Sequence, residues 1–276
     1  MGSGRPRVTA SPASRTQTLP ADWLPPLRRA TVAEPSREAA TEWTTTDGRA
    51  LYGRRHDDVF SLWCPGVATF AFRVAGPVDY DAVDEDDARR LWTRSALPLA
   101  VEARGLPVLH ASAISREHSC VVICGRSMAG KSTFAAVAGK AGFTVESDDA
   151  IAFSASDGSV TARTLPFDVR LRTSAEEAFG SVSFAGNGGR ELHLSHLILL
   201  EPDEDAARVV LEPVSAGAAF GALMPHAYCF SLADSKDRIV REYTTLVEGA
   251  PVGRLRYEPN HESLPAMVEA VGSLLA

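Results

Sequence analysis

Residues 119–134, SCVVICGRSMAGKSTF, constrain the fold more than any other stretch of the chain. The apolar run 119–124 reads as a strand. Residues Gly125 to Ser132 then follow the spacing G-x-x-x-x-G-K-[ST], and KSTFAAVAGKAG reads as a helix that Gly142 closes as its C-cap. An apolar strand, a glycine-hinged loop and a helix in that order require an α/β fold, because the strand must lie inside a sheet and the helix against it.

The loop spacing has a chemical reason. Gly125 and Gly130 let the backbone curl until successive N–H groups point inward, and the helix start adds the positive end of its dipole. The result is a cradle for phosphate oxygens. Arg126, Ser127, Met128 and Ala129 form the loop between the glycines. Lys131 would bridge β- and γ-phosphates, Ser132 would coordinate Mg²⁺, and Thr133 would cap the helix or touch the α-phosphate. At average residue frequencies the bare pattern arises by chance in roughly one chain of this length in a hundred. Here the strand before it and the helix after it are both present, so ATP and Mg²⁺ are the implied cofactors. The N-K-x-D motif of GTPases and the L-S-G-G-Q-like signature of transporter ATPases are absent.

Bulk properties narrow the class further. At 276 residues, with 45% apolar and 23% charged side chains, the chain reads as soluble and globular, one large domain or a core with a smaller companion. A formal charge of −7 argues against a general nucleic-acid binder. No stretch is long and apolar enough to span a membrane, and no apolar signal segment opens the chain, so a cytoplasmic location is expected. Cys64, Cys120, Cys124 and Cys229 lack metal-ligand spacing and read as small core hydrophobes.

Three regions can be marked out. Residues 1–40, rich in Ser, Thr, Pro, Ala and Arg, read as a mobile tail. Residues 41–105 read as a β-rich segment with a helix: ALYGRR, DVFSLWC and GVATFAFRV are bounded by turn signals and predict an antiparallel meander. DYDAVDEDDARRLW predicts a turn leading into a helix; its consecutive carboxylates fan around a helix instead of converging on a metal. Residues 106–276 predict the α/β unit, with LPVLHASAIS and SCVVICG as neighbouring strands. FTVES, AIAF, SVTARTL, HLSHLILLEP and ARVVLEPV follow as strands, and SLPAMVEAVGSLLA as a final helix. AGNGGRE at 185–191 reads as a loop, either a strand connection or a contact for a ligand.

Asp148 and Asp149 follow the first strand after the loop's helix. In an α/β sheet, ligand groups gather at the carboxyl ends of strands, so a carboxylate there can sit opposite the γ-phosphate. One can orient or deprotonate a hydroxyl while its neighbour holds Mg²⁺; the alternative is an acidic turn between strands.

The order LHASAIS, GRSMAGKST, ESDDAI resembles the HPr kinase/phosphorylase family, in particular the HPr-kinase-like proteins associated with ribosomally made peptide pathways. The resemblance covers residues 95–205 and implies a P-loop kinase-type mixed sheet flanked by helices. It also implies an ATP- and Mg²⁺-dependent kinase acting on a serine-type hydroxyl. On that carry-over Asp148 is the catalytic carboxylate and Asp149 its metal-associated neighbour, with the two roles exchangeable. His110 lies near the phosphates, or is a strand histidine bonded in the core. FDVRLR resembles the family's Glu-x-Arg segment, with Asp168 in place of the metal-associated Glu. There Arg170 or Arg172 would stabilise phosphoryl charge or form a structural salt bridge. HLILLEP resembles a buried family strand with Glu201 at its polar end. The loop that accompanies phosphorylase activity in the bifunctional enzymes has no counterpart here, and the first 100 residues do not resemble the family's regulatory domain. The expected partner is a peptide or protein acceptor, with a small-molecule alcohol as the alternative, and an oligomer is compatible with the sequence. A non-catalytic nucleotide-dependent regulatory module is the competing reading.

Overall fold

In the computed structural model, which describes residues 24–45, 47–156, 158–168, 176 and 184–275, the turn-punctuated strands after residue 40 form a meander. Strands β1 (Leu27–Arg29), β2 (Thr41–Thr44), β3 (Ala50–His56), β4 (Val59–Cys64), β5 (Ala68–Phe72) and β6 (Val78–Ala82) lie in the order β1-β6-β5-β4-β3-β2. β2 to β6 pair antiparallel in succession; β3, β4 and β5 are the three predicted runs of the meander, and β2 and β6 extend it on either side. Leu27–Arg29, placed in the tail on composition, instead pair parallel with β6. Arg28 adds a two-pronged hydrogen bond to the Asp79 carboxylate at 2.6 and 2.9 Å. Residues 1–23 of the expected tail lie outside the described residues. The DYDA stretch is the end of β6 rather than a turn, since its alternation buries Val78 and Tyr80.

Helix α1 (Glu85–Leu91) starts at Asp84, whose carboxylate accepts the Asp87 N–H at 2.8 Å. Glu85 and Asp87 pair with Arg89 and Arg90 one turn on, so the acidic run is a solvated helix start. A π-helical turn over Trp92–Ala96 joins it to α2 (Leu97–Ala103).

The second sheet is built from β7 (Val108–Leu109), β8 (Ala111–Arg116), β9 (Ser119–Gly125), β10 (Thr144–Ser147), β11 (Ile151–Ser156) and β12 (Ser159–Thr164). Helix α3 (Lys131–Lys140) follows β9, and the short β13 (Phe167–Asp168) and β14 (Ala185–Gly186) pair with each other. Then come β15 (Glu191–Pro202), β16 (Val210–Pro213), α4 (Ala216–Leu223), α5 (Leu232–Gly249), β17 (Val252–Tyr257) and α6 (Leu264–Gly272). The strand order is β10-β8-β9-β15-β12-β11-β7, with β17 beside β15 and β16 beside β17. The fold class is therefore mixed α/β, two sheets with helices against them.

Both faces of β9 are buried, which explains its unbroken apolar run. Cys120, Val122 and Cys124 face a core shared with α4 and α5, through Leu223, Ile239 and Tyr243. Val121 and Ile123 face the opposite core with Phe134 of α3 and Met267 of α6. Burial pushes both thiols up to about 12, so they behave as the small hydrophobes expected.

β9, β15 and β17 are parallel, but β8 lies antiparallel between β9 and β10. The double reversal leaves β10 running in the direction of β9, so the carboxyl ends of both strands meet the start of β8 at one end of the sheet. LPVLHASAIS, expected as one strand, is split at His110. Its halves β7 and β8 pair with β11 and β10, which are themselves separated by Asp148–Ala150. Two chain segments thus run antiparallel to one another with a gap in the middle of their ladder. Because β7 is also the far end of the strand order, the sheet curls back on the segment beside which it began.

The two sheets share a core in which Phe60, Phe70 and Phe72 meet Val108, Ala152 and Phe230. Phe230, between α4 and α5, packs edge-on to Phe60 at 5.3 Å between ring centroids. Its N–H donates to the Glu102 carboxylate of α2 at 2.7 Å, and Glu102, 1% exposed, also receives Arg238 of α5. Among the described residues no helix is long and apolar enough to cross a membrane.

Glu102 is buried and serves both the Phe230 N–H and Arg238, which also pairs with Glu242. Glu102→Ala leaves that N–H without its acceptor and should lower the unfolding free energy by about 1–3 kcal/mol, and Glu102→Gln, which keeps an acceptor for the Phe230 N–H, by less. Urea unfolding followed by tryptophan fluorescence measures both. Equal loss in the two variants would place the energy in the charge alone.

Candidate active site

The loop between β9 and α3 depends on glycine at two places for different reasons. A Cβ on Gly125 would stand 3.0 Å from Leu200 Cβ and 3.1 Å from Ala129 Cβ, so a side chain there would press on both neighbours where the loop folds back over the end of β15. Gly130, the N-cap of α3, has φ +83°, a left-handed value that costs glycine nothing. Met128 adopts φ +70° at the loop's tip, where it is 78% exposed. Left-handed residues placed between right-handed ones turn backbone N–H groups to a common side.

The Ala129 N–H donates to the Arg126 carbonyl at 3.0 Å and closes the turn. The helical ladder begins with the Phe134 N–H donating to the Gly130 carbonyl at 2.8 Å, so the N–H groups of Gly130, Lys131, Ser132 and Thr133 precede it. Lys131, buried, donates from Nζ to the Gly125 carbonyl at 2.9 Å, and burial lowers its pKa. Arg126 and Ser127 are exposed, while Ser132 and Thr133 are half-buried on the first turn of α3.

The ladder gap puts the aspartates beside this loop. Ser147 satisfies the backbone there, donating to the Ala150 carbonyl at 2.8 Å and to the Ala111 carbonyl at 3.2 Å. Asp148 is 8% exposed and accepts from the Ser112 hydroxyl at 3.1 Å, with the Ser132 side chain near it. Burial and then the charge of Asp149 push its pKa up to about 6, against the opposing pull of Ser132, Ser112 and Lys131. Asp149 is half-buried, with a carboxylate oxygen 3.7 Å from His110 Nδ1.

His110 occupies the gap on the facing strand. Its Nδ1 lies 2.8 Å from the Asp149 carbonyl oxygen. A carbonyl only accepts, so Nδ1 carries the proton and Nε2 keeps a free lone pair. Burial, then the charge of Lys131, lowers the imidazole's pKa.

Residues 226–228 complete the wall. The His110 N–H donates to the His226 carbonyl at 2.7 Å and the Tyr228 N–H to the Val108 carbonyl at 2.9 Å, making a short antiparallel bridge at Leu109 and Ala227. The Tyr228 ring stands edge-on to His110 with centroids 6.4 Å apart. Burial, then Lys131 and His110, lowers the His226 pKa to about 4. No motif marks MPHAYCF; its only sequence signal is the alternation of His226, Tyr228 and Phe230 with smaller residues.

The structure thus brings together His110, Lys131, Ser132, Asp148 and Asp149, and adds Ser112, His226 and Tyr228. Asp168 has its backbone in β13, opposite Ala185, and its side chain is outside the described residues, as are Arg170 and Arg172. Glu201 ends β15 in an exposed pair with Arg254 at 2.8 Å. Among the described residues no three His, Cys, Asp or Glu side chains converge as a metal centre. That fits Mg²⁺, which is held by one or two carboxylates together with substrate phosphates and water. Ser132 with an aspartate of the pair would supply the protein's share.

No protein-family model and no curated protein matches the chain. Among solved structures it is similar to an HPr(Ser) kinase/phosphatase from Coxiella burnetii, with a TM-score of 0.35 and 14% identity. The match covers 60% of this chain and 93% of that one. A likeness this distant transfers no activity; the chemistry has to come from the side chains of this chain.

Asp148 has a raised folded-state pKa, so the folded protein holds that proton more tightly than the unfolded chain. The corresponding stability is present below about pH 4 and is lost as pH rises through about 6. Asp148→Asn, which mimics the neutral acid, should raise stability at pH 8 by about 1–3 kcal/mol in nucleotide- and metal-free protein, with no gain at pH 4. Thermal unfolding at the two pH values tests this, and an equal melting temperature at pH 8 would contradict it.

Proposed function

We propose that the chain is a kinase that uses ATP and Mg²⁺ to phosphorylate a hydroxyl. The acceptor we propose is a serine of a peptide or protein, and the setting is ribosomal-peptide tailoring, as the motif resemblance suggests. The observation that carries the reading is the meeting of Lys131 and Ser132 of the loop with Asp148 and Asp149 across the ladder gap, close enough that Ser132 and Lys131 both pull the Asp148 pKa down. A loop that only sensed nucleotide would have no use for a second, more open carboxylate beside a histidine.

The groups divide the work by position. The N–H groups from Gly130 to Thr133 and the Lys131 ammonium bind and orient the triphosphate. When bound, Mg²⁺ neutralises charge on the β- and γ-phosphate oxygens. Ser132 and the buried Asp148, close to one another, lie on the metal side. Asp149, with its carboxylate more open and His110 beside it, lies on the acceptor side and takes the proton of the incoming hydroxyl. The acceptor oxygen bonds to the γ-phosphorus as the bond to the β-bridging oxygen breaks, and ADP leaves. This division exchanges the roles that the motif resemblance assigns to the two aspartates. The support for the exchange is the contrast between them: Asp148 is buried and accepts from Ser112, whereas Asp149 keeps an exposed edge.

Incubation with ATP, Mg²⁺ and a serine-peptide library, read by mass spectrometry, should show a gain of one phosphate on a peptide. Lys131→Ala should reduce kcat/KM at least about 100-fold. Asp149→Asn should bind ATP as wild type does yet lose transfer by about 10²–10⁴-fold, and Asp148→Asn should raise the Mg²⁺ concentration needed for half-maximal rate. Wild-type transfer by Asp149→Asn would defeat the assignment of the base. ATP binding without phosphorylation of any peptide would point to a small alcohol or to a sensor.

A further inference from the structure

We infer that Tyr257 is a positioning residue of the phosphate loop, its hydroxyl turning the Ala129–Gly130 peptide so that the Gly130 N–H faces the phosphates. The inference rests on the reading of the loop as a phosphate cradle and adds a residue that lies far from the motif in sequence. Tyr257 ends β17, on the strand next to β15, and is 5% exposed in the core between the sheet and α3 and α6. Its hydroxyl donates to the Ala129 carbonyl at 2.5 Å. Burial keeps the phenol protonated, with a pKa pushed up to about 12, so it is a donor at any pH the protein meets.

Peptide geometry carries the consequence. Among the described residues no peptide bond is cis, and in a planar trans peptide the carbonyl and the following N–H point in opposite directions. Drawing the Ala129 carbonyl back into the core therefore turns the Gly130 N–H outward, to the side on which the first N–H groups of α3 open. Gly130 is the residue whose freedom would allow the peptide to turn over. In the reversed orientation a carbonyl oxygen would face the phosphates and repel them, and the Gly130 N–H would be spent inside. Ala129 is itself 5% exposed, so its carbonyl has little access to water as a substitute partner. Lys131 ties the front of the loop through the Gly125 carbonyl; Tyr257 ties its back.

The test uses the full chain and nucleotide binding without turnover. ATP affinity is measured by calorimetry for wild type, Lys131→Ala and Tyr257→Phe, with ¹⁵N spectra recorded for the Gly130 amide. Tyr257→Phe, which keeps the ring and so the core, should weaken ATP binding by about 3–10-fold. Adenosine affinity should stay at the wild-type value, and the Gly130 amide should respond less to ATP. In wild type the Gly130 amide should move strongly on ATP saturation, a readout that needs no variant. If wild type binds no ATP, the cradle reading fails and the inference with it. If wild type binds and Lys131→Ala does not, two results overturn the role of Tyr257 alone: wild-type ATP affinity in Tyr257→Phe, or an unmoved Gly130 amide in wild type.

Discussion

The antiparallel ladder between residues 108–116 and 144–156 breaks at its centre, and much else in the molecule depends on that break. An unbroken ladder would spend the backbone of His110, Asp148 and Asp149 on each other and point their side chains alternately into two cores. At the gap the Asp149 carbonyl is free to hold an imidazole, and Ser147 absorbs the carbonyls that lost their strand partners. Desolvation follows from the same location. A carboxylate in the interior of a sheet, one strand from the loop lysine, is pushed toward neutrality unless a cation arrives. Burying Asp148 this way costs stability at neutral pH.

The central sheet's composition follows from the same arrangement. β9 must be apolar on both faces because helices cover both, and glycine at its end relieves a close approach to Leu200 of β15 and Ala129 of the loop. That is why the loop and the strand before it were readable together. Local spacing and local periodicity reported on the same short piece of chain.

Legibility fell off with sequence distance. The meander strands β3 to β5, the loop, α3 and the aspartate pair all carry their signal within a few residues, so turn chemistry and motif spacing sufficed to mark them. β1 was missed because three residues with two arginines hold no apolar signal; their pairing is set by β6, about fifty residues away. His110 was visible as a site residue, but the split of its strand was not, since the sequence around it alternates smoothly. Residues 216–249 gave no assignment, because small residues in α4 blur the helical stripe and α5 begins without a side-chain cap. With them went Tyr228 and His226, which reach the site only because β7 offers them an edge. Tyr257 is a similar case: a tyrosine at a strand end announces nothing until its hydroxyl is seen on a carbonyl of the loop.

Phe230 has a wider consequence. It is seated among aromatic side chains of the first sheet, while two residues earlier Tyr228 rests against His110. The short strand between them therefore belongs to both halves of the molecule, and its register is set at both ends. A fragment beginning near residue 106 would carry every recognisable motif of the chain and still lack the surface that seats Phe230. The first hundred residues, which hold no motif, are in this sense part of the tool: trimming the chain to its signature would remove the jig that sets the histidine.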